Sequence, residues 1–264
     1  MPPPAQAPEA CEACHDAGWV RLDVPVGDPT FGKIVHCRSC DAYQRIVFAA
    51  VQHYTRVPAD LAAMAADWTT FPLEMDAEAI VAMQRYSARI CAGNIDGVRG
   101  IVLMGHNQVG KSGLVYCVHQ DLLAAQIPSV FLTEIDLLEL LTEAMFNKEC
   151  PERHLDILDR LAMVTHLVLD DLGAAKPTDK REEFLFTLLD RRGKQPRTVT
   201  TITTNLDGPE LQAHLGKRVY ARIAGRAYSR LLVEGAYCAL IGGDPDAPPA
   251  SNGIERGLNG VSLQ

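Results

Sequence analysis

The sequence predicts an α/β protein, a parallel sheet with helices on both faces, preceded by a small four-cysteine module and a helical linker. Three observations carry that expectation. From Arg99 onward, short β-rich runs alternate with longer helical patterns, the pattern of strand, helix, strand repetition that covers both faces of a parallel sheet. One strand-to-helix junction, Gly105 to Ser112, reads GHNQVGKS. A later apolar strand, within His166 to Gly173 (HLVLDDLG), ends in two adjacent acids.

The elements follow in order. Residues 1–10 carry four prolines and read as a tail. Residues 11–44 hold four of the eight cysteines on short polar connections and read as a compact module. Residues 45–97 are rich in Ala, Met, Leu and charge, with helical spacing in LAAMAADW and EMDAEAIVAMQRYSARICAG, and are expected to form a helical linker. The main domain spans 98–241. Within it come the strand GIVLMG, the helix KSGLVYCVHQDLLAAQ, the strand SVFLTE, the helix IDLLELLTEAMF, the strand HLVLDD, the helix EEFLFTLLDRR and the strand TVTTITTN, then further helices ending at LLVEGAYCALI. Residues 242–264, rich in Gly, Pro, Asn and Ser, read as a second tail.

Composition removes several function classes. The longest apolar runs, Ile46 to Val51, Leu61 to Ala66 and Ala236 to Ile241, are six residues each, far below the ~20 of a membrane-spanning helix. No membrane partner is expected. The first residues have neither a basic patch nor an apolar stretch, so a cytoplasmic location with reduced cysteines is expected. A net charge of −8 excludes a generally basic nucleic-acid coat protein. One stretch opposes that sign: from Gly193 to Arg230 there are seven basic residues (Lys194, Arg197, Lys217, Arg218, Arg222, Arg226, Arg230) against Asp207 and Glu210. Arg218, Arg222 and Arg226 are four apart, on one face of an expected helix and without acidic neighbours on it, which suits phosphate or nucleic-acid contact better than self-stabilisation.

GHNQVGKS matches GxxxxGK[ST], between an apolar strand and a helix. In such a loop Gly105, His106, Asn107, Gln108, Val109 and Gly110 curl backbone N–H groups around phosphate oxygens, Lys111 reaches the β and γ phosphates, and Ser112 offers a hydroxyl to magnesium. ATP and Mg2+ are therefore the expected ligands. Gln108 stands where many such loops carry another glycine, which implies a stiffer or differently placed backbone. About sixty residues on, Asp170 is placed to hold the magnesium with Ser112, and Asp171 to orient or deprotonate the attacking water. Acid pairs at strand ends also serve as caps and turns. Asn205, ending a β-branched run, is positioned to contact the γ phosphate or the water, although an Asn after a strand is also a turn or N-cap residue.

Cys11, Cys14, Cys37 and Cys40 form two CxxC pairs separated by 22 residues. Each CxxC turn presents two thiolates to one side, and two such turns complete a tetrahedral Zn2+ site. His15 and His36 abut these cysteines and could substitute for them, but exposed flanking histidines are the preferred reading. Trp19 is expected to pack beneath the metal knuckle. Cys91, Cys117, Cys150 and Cys238 lie in apolar surroundings and read as small core residues.

Taken in order, GHNQVGKS, HLVLDDLG with its continuation AAKPTDKREEFLFTLLDRR, and TVTTITTNLDGPELQAHLGKRVYARIAG resemble the DnaC/IstB-like AAA+ ATPases over residues 68–241. The resemblance implies a P-loop AAA+ core of the ASCE class and an ATPase that self-associates in the ATP state. It assigns Lys111 and Ser112 to Walker A, Asp170 and Asp171 to Walker B, Asn205 to sensor 1, and Arg222 to an arginine finger acting in a neighbouring subunit's site. The short segment after Arg230 leaves no room for a large helical lid, so the lid arginine has no assigned position. Helicase loaders of one branch resemble this layout in carrying an N-terminal zinc-binding module, whereas transposition helpers generally lack one. The leading expectation is thus an ATP-dependent replicative-helicase loader acting with helicase and single-stranded DNA. An IstB-like transposase helper ATPase and a non-hydrolysing nucleotide-bound adaptor are the alternatives.

Overall fold

A computed structural model describes residues 10–234 except 38, 41, 64–67, 70, 72–75, 148 and 226. Arg226, Cys238, the last part of the expected domain and nearly all of both expected tails lie outside the described residues.

The chain opens with an antiparallel ribbon of β1 (Trp19–Arg21) and β2 (Ile34–His36). Then come α1 (Ala42–Val51), a single 3-10 turn (Gln52–Tyr54), α2 (Ala59–Ala63) and α3 (Ala77–Cys91). The sheet-forming part runs β3 (Gly100–Met104), α4 (Lys111–Ala124), β4 (Ser129–Thr133), α5 (Glu134–Phe146), α6 (His154–Met163), β5 (His166–Asp170), α7 (Asp179–Lys194), β6 (Val199–Thr204), α8 (Gly208–Leu215), α9 (Lys217–Ile223) and β7 (Tyr228–Leu232). All five sheet strands are parallel, in the order β4-β5-β6-β3-β7.

Alternation along the strands divides the core into two layers. Val102, Val130, Leu132, Leu167, Leu169 and Ile202 face α5 to α9 on one side, together with Val51 and Tyr54. Ile101, Leu103, Phe131, Val168 and Val199 face α4 and α3 on the other. A sheet buried on both faces wants continuous apolar strands, yet β6 reads VTTITT and is buried throughout. Its hydroxyls explain this. Thr200 accepts from Arg192, Thr201 bonds His166, Thr203 donates to Asp170, and Thr204 donates to the Leu172 carbonyl. Each threonine thus satisfies a buried polar partner contributed by a neighbouring element.

Capping fixes where the helices start. Asp76 accepts from the Ala79 N–H at α3, Thr133 and Asp136 form a reciprocal capping box at α5, Thr178 caps α7, and Asp207 with Glu210 caps α8. α4 starts differently, on Gly110 in a left-handed conformation (φ 91°) with no side-chain cap. α6 and α9 likewise start without a side-chain cap.

Three expectations need correction. The segment read as a helical linker is helical, but its helices are core layers: α3 packs on α4, Met83 is fully buried, and the turn after α1 buries Tyr54. The segment read as further helices also contains the strand β7, which pairs with β3. Its exposed Ser229 and Arg230 hide the strand signal because β7 is an edge strand. Finally, α9, which carries Arg218 and Arg222, stops at Ile223, short of the extent expected for it.

Candidate nucleotide site and four-cysteine centre

β3, β5 and β6 are adjacent and parallel, so their carboxyl ends deliver the loop 105–112, Asp170 and Asn205 to one edge of the sheet, where ligands gather in open α/β folds. Two glycines shape the loop. At Gly105 (φ 154°) an added Cβ would lie 2.3 Å from the Val233 carbonyl oxygen, and Gly110 takes its left-handed turn into α4. Gln108 also has a left-handed backbone (φ 64°), which is the conformation a glycine would favour there.

Lys111 is 6% exposed. Its Nζ donates to the carbonyls of Gly105 (2.9 Å) and His106 (2.6 Å) and to Asn205 Oδ1 (2.8 Å). Burial pulls its pKa down to about 8, against the opposing pull of Asp171 and Asp170. Ser112 Oγ donates to Asp170 Oδ1 (3.0 Å), which also accepts from Thr203 Oγ1 (2.5 Å). Burial raises the Asp170 carboxyl above its ordinary range, opposed by those two hydroxyls. Asn205 Nδ2 donates to Asp171 Oδ1 (2.6 Å). The structure therefore brings Lys111, Ser112, Asp170, Asp171 and Asn205 into one connected set. Caps are not the reason for these polar residues, since Thr178 and Asp207 cap the following helices.

Magnesium fits this geometry. Octahedral coordination at about 2.1 Å places neighbouring ligand oxygens about 3 Å apart, and the Ser112 and Asp170 oxygens are 3.0 Å apart.

At the other end of the chain, the sulfurs of Cys11, Cys14, Cys37 and Cys40 all lie within 4.8 Å of one another. Cys11 to Cys37 is 3.8 Å and Cys14 to Cys40 is 3.4 Å, close to the roughly 3.8 Å edge of a tetrahedron with 2.3 Å zinc–sulfur bonds. The Ser39 N–H draws the Cys37 thiol down to about 7 despite burial. The set fits Zn2+. His15 is exposed beside Cys14, and His36 is a β2 residue paired with Trp19. Trp19 does not sit beneath the knuckle: it is 38% exposed, and Val20 packs there instead with Ala42. Strand alternation decides this, since Val20 faces inward and its neighbour outward. Of the remaining described cysteines, Cys117 is buried and Cys150 packs on the core, but Cys91 is exposed at the end of α3.

Solved structures share this architecture. The DnaC helicase loader superposes with a TM-score of 0.55 at 20% identity, covering 67% of this chain and 100% of that one. DnaI gives 0.54 at 22%, covering 68% and 96%. Domain III of the Thermotoga maritima replication initiation protein DnaA gives 0.52 at 13%, covering 68% and 69%. The chain has the fold of these solved structures. Neither a family model nor a curated protein matches the sequence.

Within this fold the basic stretch is not unpartnered, contrary to expectation. Arg222 Nη2 meets Asp190 Oδ1 at 2.8 Å, Asp190 also binds Lys194, and the Arg218 and Arg222 guanidiniums lie 4.2 and 4.9 Å from the centre of the Phe186 ring. The acid that answers them is on α7, out of reach of reasoning along one helix. Arg222 remains 40% exposed.

Sequence reading missed the residues that hold Asp171. Asp171 has a left-handed backbone (φ 57°), and its N–H donates to Thr203 Oγ1 (2.8 Å). Two residues later, Glu134 Oε2 accepts from the N–H groups of Gly173 (2.9 Å) and Ala175 (3.1 Å), while Glu134 Oε1 accepts from Arg181 Nε (2.6 Å). A charged residue directly after an apolar strand, as in FLTE, was the available signal.

No helix among the described residues is long and apolar enough to cross a membrane.

Proposed function

We propose that this protein is an ATP-dependent replicative-helicase loader, with its ATPase core in residues 98–241 and a zinc-bound module in residues 11–44 that recognises the helicase. The observation that supports it most is the connected set Lys111, Asn205, Asp171, Asp170 and Ser112 at the carboxyl edge of a loader-fold sheet. Lys111 exchanges its carbonyl partners for the β and γ phosphates of ATP, and the loop amides of residues 105–110 cradle them. Ser112 and Asp170 hold magnesium, which when bound neutralises phosphate charge. Asp171 takes the proton of the attacking water, oriented by Asn205, whose amide already reaches both Asp171 and Lys111. Arg222 acts in a neighbouring subunit's site, self-association following ATP binding. The basic stretch around Arg230 carries single-stranded DNA.

Mixing the full chain with its cognate replicative helicase tests this reading. Complex formation is expected with ATP, to be weaker in Lys111→Ala, and to disappear when residues 11–44 are deleted while ATP binding persists. Capture that survives the deletion overturns the role of the module. For Arg222, mixtures of Arg222→Ala with Lys111→Ala chains are expected to recover turnover that neither has alone. No recovery in mixtures that co-assemble places Arg222 outside the site.

A further inference from the structure

We infer that Glu134 and Arg181 are a positioning pair for the hydrolytic step: together they hold the segment after Walker B so that Asp171 keeps its left-handed backbone and faces the nucleotide. This rests on the ATPase reading above and adds to it two residues from outside the recognised motifs.

Glu134 is fully buried at the first position of α5, and Arg181, 3% exposed, is in the first turn of α7. A buried carboxylate is costly unless paired and hydrogen-bonded, and every oxygen of Glu134 is committed. Oε2 takes both the Gly173 and Ala175 N–H groups, and Oε1 takes Arg181 Nε. Arg181 continues the chain of contacts, its Nη1 donating to the His214 carbonyl at the end of α8 (2.9 Å). His214 returns to the same segment, its Nε2 bonding the Ala175 carbonyl (2.8 Å). The loop 171–175 is thus gripped directly from α5 and α8, and Arg181 of α7 braces both holds.

What the grip opposes is visible in the backbone. A left-handed conformation is unfavourable for a non-glycine residue and persists where surrounding contacts over-determine it. Asp171 has that conformation, and Gly173 follows with φ 110°, where an added Cβ would lie 2.6 Å from Leu206. Thr203 fixes the segment from the strand side, through Asp171 N–H and the Leu172 N–H to Thr203 carbonyl bond. Glu134 fixes it from the helix side. Without the second hold, the Asp171 carboxylate stays chemically intact but loses its direction, which costs turnover rather than binding. Lys111, Ser112 and the loop 105–110 do not contact Glu134 or Arg181 in any hydrogen bond of the described residues, so ATP affinity is spared. Because α8 leads directly into α9, the pair also joins the Asp171 loop to the helix bearing Arg218 and Arg222.

The test is kcat and ATP affinity measured separately in full-length Glu134→Gln and Arg181→Lys. Glu134→Gln keeps size but turns an amide group toward Arg181 or the loop N–H groups. It is expected to lower kcat roughly 10- to 100-fold, the scale of an ångström-level misplacement, with affinity for a fluorescent ATP analogue unchanged within about twofold. Arg181→Lys, which keeps the charge and loses the His214 contact, is expected to fall between that variant and wild type. An unchanged kcat in both overturns the pair, as does a parallel loss of nucleotide affinity, which would mark it as support for the whole site. If Glu134→Gln does not fold, Arg181→Lys decides alone. Absence of turnover in wild-type protein sinks the ATPase reading itself, whereas normal wild-type turnover with unaffected variants sinks only this pair.

Discussion

The four-cysteine module and the sheet core are held together in different ways. Among the described residues of the module, only Cys14, Cys37 and Ala42 are buried together, with Val20, Cys11 and Cys40 packed around them. Val26, Phe31, Ile34 and Trp19 all stay exposed there. Among the described residues, the core buries clusters of 24 and 18 on the two faces of its sheet. A module that small cannot offset its chain entropy by apolar burial, so its order must come from the sulfurs. α1 touches both, with Ala42 against the cysteines and Val51 inside the core. The two parts are therefore joined by one helix while depending on unrelated forces, and each is open to separate attack.

The largest effect is expected from the metal. One zinc per chain should be found by elemental analysis of protein purified without chelator. Its removal, or Cys37→Ser with Cys40→Ser, forfeits roughly 10 to 16 kcal/mol of apparent binding energy. Residues 11–44 should lose their structure by NMR while the core's thermal transition stays in place. A core that melts with the module would break the separation. Next comes the nucleotide site. Lys111→Ala should abolish ATP binding, and Asp171→Asn should keep binding while kcat falls at least ~100-fold; wild-type turnover in Asp171→Asn removes that assignment.

Acid should find the core's own weakness. His119, Ser129, His166 and Thr201 form a buried chain of hydrogen bonds of 2.7 to 2.8 Å through the sheet. Burial draws His119 down to about 4 and His166 well below its ordinary value, where His119 and Arg192 lower it further. Their folded forms are neutral, whereas the unfolded chain takes up protons below about pH 6.5. The stability they contribute is complete above that pH and is lost as pH falls toward 4, by roughly 3 kcal/mol for His119 alone. Denaturant titrations at pH 7.5 and 5 should show the decline, and His166→Gln should flatten it. The smallest effect belongs to Gln108→Gly. It relieves a left-handed glutamine but loosens the unfolded chain, so stability should shift by no more than about 1 kcal/mol, read as a change in melting temperature.

What could be read along the chain depended on how far apart the cooperating residues are. The loop 105–112, the acids after β5 and the strand β6 announce themselves within windows of eight residues, because apolar runs and ligand groups are contiguous there. The two CxxC pairs are similarly local. Glu134 and Arg181 are 47 residues apart, and Arg192 donates to Leu161 and Val164 carbonyls about 30 residues away. Such pairs look like surface charges until the fold unites them. β7 and the Asp190 partner of Arg222 escaped as well, one an edge strand whose adjacent Ser229 and Arg230 are exposed and the other a neighbour only through packing of α7 on α9.

The order β4-β5-β6-β3-β7 also sets a timetable for synthesis. β3, which leads into the loop 105–112, pairs with β6 and β7, and β6 ends 100 residues later, at Thr204 against Met104. At about 5 to 20 residues per second, β3 waits roughly 5 to 20 seconds for its first partner to be made. The cysteine module, with all four sulfurs within the first 40 residues, can bind its metal long before that. During the wait an apolar strand followed by its unclosed loop is exposed, so slowing translation between residues 104 and 199 should raise aggregation of the nascent chain while leaving its N-terminal zinc uptake intact.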